Sequence, residues 1–153
     1  MTVKTPTLFG RLTAIRQDHA ALQRALRRLR ASARELAEAR EASPAELLRL
    51  VEILVGQLQG HFIAEEANAY FGAIAADRPS LRPTIESLCD DHQLILYTLF
   101  DFPFLVAAGT PNRELAARLD CILDILQLHE RREDQLMQEY LLRGDSLLHP
   151  SAG

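Results

Sequence analysis

The chain is short of cysteine, of positive charge and of long uninterrupted apolar runs, and each shortage removes a class of function. Two cysteines, Cys89 and Cys121, stand in 153 residues without CxxC spacing, so neither a disulfide framework nor a zinc knuckle is expected. That usage suits a reducing cytoplasm. A formal net charge of -4 argues against a nucleic-acid or anionic-membrane surface, because both recruit basic patches to gather phosphates. The one basic cluster, Arg24, Arg27, Arg28 and Arg30, reads as a solvated helix face balanced by acids downstream. The first ten residues, MTVKTPTLFG, hold no apolar signal core, and no run approaches the roughly 20 residues of a membrane span. What remains is a chain of 48% hydrophobic content, enough for one domain with a core that needs no disulfides.

Apolar residues recur at alternating spacings of three and four, the period of a helix. Four long helices are expected, at about 8–40, 44–77, 81–108 and 111–143, with a tail over 144–153. The first carries Leu8, Leu12, Ile15, His19, Leu22, Leu26, Leu29, Ala33 and Leu36 on one stripe. Ser43, Pro44 and Glu46 announce the second as N-cap, first helical residue and capping-box acid; its stripe is Leu47, Val51, Leu54, Leu58, His61, Glu65. A break at Asp77–Ser80 precedes the third, with Ile85, Leu88, His92, Ile95 and Leu99, which Pro103 should kink or end. Gly109, Thr110 and Pro111 make the last turn, with Thr110 as the cap. The fourth helix carries Leu115, Leu119, Ile122, Ile125, His129, Glu133 and Leu136, and Gly144 terminates it. Short turns between four helices imply an all-α, up-down-up-down antiparallel four-helix bundle.

Four histidines occupy stripe positions that otherwise take apolar residues, and two of them, His61 and His129, have a glutamate four residues on, Glu65 and Glu133. On a helix that spacing stacks both side chains on one face. Residues at equal height in an antiparallel hairpin are equidistant from its turn, since both helices rise by the same amount per residue. The midpoints of positions 19 and 61, 61 and 92, and 92 and 129 are 40, 76.5 and 110.5, each at an expected turn. The four imidazoles should therefore share one layer, with Glu65 and Glu133 a turn away. So many polar groups in an apolar interior are costly unless paired. A metal pair resolves the cost: carboxylates suited to bridging, imidazoles at terminal positions, and a donor set that suits iron.

On these residues the chain resembles the hemerythrin-like, or HHE cation-binding, domain family, over about residues 8–143. The resemblance implies two iron ions in the bundle core, with His19 and His61 on one, His92 and His129 on the other, and Glu65, Glu133 and an oxo or hydroxo group bridging. It further implies a small diatomic or peroxide ligand (O2, NO or peroxide), with iron storage or sensing, or redox chemistry such as peroxide or nitric oxide detoxification, as alternatives. Oxygen carriers of the family have a further histidine where this chain has Leu96, so one iron should be less saturated; they also take the last carboxylate from the position of Asp134, whereas Glu133 matches the first half. The set is more similar to the iron-cluster repair and iron-sensing branches, but no cysteine precedes Cys89 to match the cysteine-bearing N-terminal module of the repair proteins, so that activity is not expected to carry over whole.

The neighbouring residues are less readable. Asp18 and Asp91 are expected at the surface or in caps, and Glu66 and Asp134 either behind the ligands or at the surface. Glu130 adjoins a ligand histidine. Tyr70, Tyr97 and Tyr140 are read as edge packing, Cys89 as a structural thiol, and His149 as no ligand. The aromatic segment 97–104 exceeds what one helix face buries; it lines a tunnel or pairs two copies in a homodimer.

Overall fold

Why the helices begin and end where they do is largely local chemistry. The computed structural model describes residues 8–38, 43–67 and 70–148. Helix α1 spans Leu8–Ala37 and α2 spans Pro44–Ala67. At the start of α2 the Ser43 hydroxyl accepts the Glu46 N–H at 3.2 Å and its carbonyl accepts that of Leu47 at 3.1 Å, the expected cap. Helix α3, Tyr70–Asp77, completes the second expected helix. After a 3-10 turn at Pro79–Leu81 come α4, Arg82–Phe100, and α5, Phe102–Ala107.

Pro103 divides α4 from α5 because it has no N–H and its ring would collide with the carbonyl four residues back. Helix α5 ends in a glycine cap: Gly109 has φ +72°, its N–H reaches the Val106 carbonyl at 3.1 Å, and the Thr110 N–H reaches that of Leu105 at 3.2 Å. Only glycine adopts that backbone without strain.

Two expectations about α6, Asn112–Leu148, fail. Its first bonds run from Glu114 and Leu115 to the Pro111 carbonyl, so Pro111 and not Thr110 holds the cap position. The helix also runs through Gly144, since one glycine costs only about 1 kcal/mol in a helix interior. His149 lies outside the described residues.

Helix α1 packs on α2 and α6, and α4 packs on the same two from the other side, giving the all-α antiparallel bundle. Two apolar clusters fill it. The larger joins Leu22, Leu26 and Leu29 of α1, Leu54 and Leu58 of α2, Ile95 and Leu99 of α4, and Leu119 and Leu126 of α6. The smaller holds Ile15, Tyr70, Phe71, Ile85, Leu88 and Leu136. The four stripe histidines lie in the layer between them, each one turn from a residue of the larger cluster: Leu22, Leu58, Ile95 and Leu126. Two surface readings need correction. Arg30 is not merely solvated: its guanidinium donates to Asp120 at 3.0 Å and Asp124 at 2.5 Å, tying α1 to α6. Also, the stretch Pro44–Asp77 is long and apolar enough to cross a membrane by length and composition, an 18-residue window in it having mean hydropathy 1.2. In the bundle its Leu47, Val51, Leu54 and Leu58 are buried core.

Candidate metal centre

The six stripe donors meet. His19 of α1 and His61 of α2 have ring centroids 4.9 Å apart, and His92 of α4 and His129 of α6 are 4.7 Å apart, as the common-height argument requires. Glu65 lies among three of them: one oxygen is 2.8 Å from His61 Nε2 and 3.7 Å from His19 Nε2, the other 3.2 Å from His92 Nε2. Glu133 Oε2 is 3.0 Å from His19 Nε2 and 3.7 Å from His129 Nε2. Two groups of four result, each with its donor atoms mutually within 4.8 Å: His19, His61, Glu65 and Glu133, and Glu65, His92, His129 and Glu133. The glutamates belong to both. All six are buried, Glu65 completely.

These contacts are close but poorly directed. His19 Nε2, His61 Nε2 and both oxygens of Glu65 and of Glu133 have no aligned hydrogen-bond partner. Buried polar atoms are seldom left so, and lone pairs converging on a shared space are what a cation needs. Imidazole and carboxylate are donors for iron, zinc or manganese; the residues present therefore fit a metal pair.

The charges support one another in the same way. Burial disfavours a charged His19, but Glu133 and Glu65 outweigh it and push its pKa up to about 10. Burial likewise opposes charge on His61 and His92, yet Glu65 raises both. Glu65, against the cost of burial, is held well below the usual carboxylate range by His19, His61 and His92. Burial pushes Glu133 up to about 7. Burial and the neighbouring His92 push His129 down to about 4, so its Nε2 accepts from His92 Nε2 at 3.1 Å.

The acids beside the donors are where the structure departs from expectation. Asp18 and Asp91 neither cap nor simply face solvent. Asp18 Oδ2 is 3.6 Å from His61 Nδ1, and Asp91 Oδ2 is 3.3 Å from His129 Nδ1. Glu66 Oε1 is 2.6 Å from His92 Nδ1, and Asp134 Oδ1 is 3.6 Å from His19 Nδ1. Each helix thus supplies an acid, one residue from its own donor, to the histidine of the next helix round the bundle: α1 to α2, α2 to α4, α4 to α6, α6 to α1. An outer carboxylate on Nδ1–H fixes the tautomer that leaves Nε2 free to ligate. The doublets Asp18-His19 and Asp91-His92 carried that signal in both halves.

Other residues sort quickly. Glu130 is buried, takes a hydrogen bond from the Gln23 amide, and leaves its second oxygen without a partner. Tyr70 is not edge packing: it is fully buried, its hydroxyl has no partner, and burial with the charges of Glu133 and Glu65 raises its pKa. Tyr140 lies against Arg78, and Tyr97 is exposed. Glu66, Cys89 and His92 form a third close group, but Glu66 already holds His92 Nδ1, and burial with nearby acids pushes the Cys89 thiol up to about 11. Cys89 is therefore an inert thiol.

No curated protein and no solved structure matches the chain. The family model described as the hemerythrin HHE cation-binding domain matches residues 11–141. With a match over most of its length and buried histidine and glutamate clusters at its centre, the chain belongs to the hemerythrin HHE cation-binding domain family.

Proposed function

We propose that the centre holds two iron ions, His19 and His61 on one, His92 and His129 on the other, with Glu65 and Glu133 shared, and that the reduced pair binds O2, NO or peroxide. The observation that carries the reading is the convergence of six buried side chains on one space, with donor atoms of His19, His61, Glu65 and Glu133 left without aligned partners. When bound, ferrous iron supplies an electron-rich, open coordination position for a small oxidant. The chain supplies the rest. Glu65 and Glu133 offset cationic charge in the apolar interior, Glu66 and Asp91 orient the imidazoles of His92 and His129, and the two core clusters limit water.

Leu96 packs on the larger apolar cluster and leaves each ion the same protein set, two imidazoles and shared carboxylates. Binding and sensing of a small ligand in the cytoplasm suits that open coordination better than tight storage. The exposed rings of Tyr97, Phe100 and Phe104 are proposed to pair two copies. The test is an anaerobic O2 titration of reduced, iron-loaded protein with metal analysis. An oxygen-dependent visible band at two irons per chain, reversed by removing O2, is the expected result. Full iron retention by H61A or E65A would overturn the assignment, and irreversible oxidation or iron loss would move the function to redox chemistry or iron handling.

A further inference from the structure

The two halves of the centre match in ligands but not in support. Around His92 and His129 the outer acids are close: 2.6 Å for Glu66 and 3.3 Å for Asp91. Asp91 is itself held by Arg132, whose other nitrogen donates to Ser87 Oγ at 2.7 Å. The Phe62 ring stacks on His92 at 3.8 Å between centroids and 11° between planes, with its edge toward His129 at 5.7 Å. These rings have little freedom to turn.

Around His19 and His61 the same positions are loose. Both outer acids stand at 3.6 Å, and Asp134 and Asp18 are 58% and 54% exposed. His61 Nδ1 has no aligned partner. Both rings border open recesses: one of about 290 Å³ lined by Arg16, His19, Asp134, Met137 and Gln138, and one of about 380 Å³ reaching His61 past Gly56 and Gly60. A Cβ added at either glycine would project into open space, meeting nothing within 4 Å.

From this difference we infer that the two metal positions are unequal: the one at His92 and His129 is pre-organised and retains its cation, while the one at His19 and His61 fills second and exchanges through the recesses. The inference rests on the two-ion reading above. An ordered histidine loses less freedom on ligation, and an outer hydrogen bond raises the basicity of the ligating nitrogen, so support lost from outside is affinity lost inside. The loosely held position is then where metal supply and removal act, and the other keeps the bundle ordered meanwhile.

The experiment titrates metal-free full-length chain with ferrous iron under anaerobic conditions against a competing ferrous chelator, reading stoichiometry and affinity. Circular dichroism of each variant checks the fold. Wild type should bind two ions in separate steps; H61A should keep the tight ion and H129A only the weak one. E66Q and D91N should weaken the first ion by about 10–100-fold, and D18N and D134N should leave it unchanged. Should H129A fail to fold, E66Q and D91N read the same quantity. Two equal sites, or a first ion weakened as much by D18N or D134N as by D91N, would overturn the inference while leaving the metal pair intact. Failure of wild type to bind any iron would overturn both.

Discussion

Metal uptake by this centre should be a proton-releasing reaction, with an amount that follows from the side chains. A histidine must be neutral at the nitrogen that ligates. His19, raised to about 10, is imidazolium at pH 7 in the metal-free protein and must lose a proton, and His61 and His92, raised by Glu65, hold theirs more firmly than an ordinary histidine does. His129, pushed down to about 4, is already neutral, and Glu133 near 7 is about half protonated. Filling both positions at pH 7 should therefore release one proton from His19, about half a proton from Glu133 and a further share from His61 and His92. Each displaced proton makes the overall association constant climb by about tenfold per pH unit near neutrality, roughly 1.4 kcal/mol.

The assay is calorimetry of anaerobic ferrous loading in buffers of different ionisation enthalpy, or an indicator dye in weakly buffered solution. Glu65 is the shared counter-charge, so E65Q should carry fewer imidazolium protons and release fewer per ion bound. An affinity flat between pH 6 and 8, with release of one proton or none, would refute the argument. It would mean that the histidines are neutral beforehand and that Glu65 does not hold them charged.

The same protonation sets opposite pH limits for metal-free and loaded protein. The stability His19 gains from its raised pKa is fully present below its ordinary 6.5 and is lost as pH rises toward about 10; loaded protein, whose ligands must be deprotonated, loses stability as pH falls. Thermal melts across pH 6–10 should therefore slope in opposite directions for the two forms, and parallel curves would refute this. Replacing Gly56, where an added Cβ meets nothing within 4 Å, by alanine should stabilise α2 by about 1 kcal/mol, read as a rise in the denaturant midpoint. Y70F removes a buried hydroxyl without a partner, a group that costs about 1–3 kcal/mol. Metal-free Y70F should unfold no more easily than wild type, whereas a large loss of stability would reveal a bond to that hydroxyl. For the proposed pairing of copies, Y97S with F104S should shift sedimentation of the loaded chain from dimer to monomer; a wild type already monomeric at sub-millimolar concentration would end that idea.

How much of this was legible depended on the kind of constraint each residue obeys. The bundle was legible because its stripes repeat at helical period, and the common height of His19, His61, His92 and His129 followed from the equal rise of antiparallel helices. The Ser43 cap was legible because capping is a contact over three residues of one chain. Thr110 misled because a threonine beside proline is a good cap by type, while the hydrogen bonds start from the Pro111 carbonyl. Gly144 misled because a terminator acts only where the tertiary structure lets the helix stop.

The outer acids were the hardest to read, and the reason is geometric. A residue next to a core-facing donor is rotated by about 100° around the helix, so it faces the crevice beside the neighbouring helix and not the centre. Read on its own helix, Asp18 or Asp91 belongs to the polar side, and that is where the stripe put it. Its function appears only when the next helix is in place, because its partner's outer nitrogen looks into the same crevice: Asp18 meets His61 and Asp91 meets His129. Candidate ligands are thus encoded by a helix's own period, and their orientation by the seam between two helices. Since one-residue offsets recur at 18, 66, 91 and 134, the seams repeat the two-halved pattern of the ligands. They do not repeat its strength, because Arg132 and Ser87 brace Asp91 while Asp18 and Asp134 face solvent from the seams that hold His61 and His19.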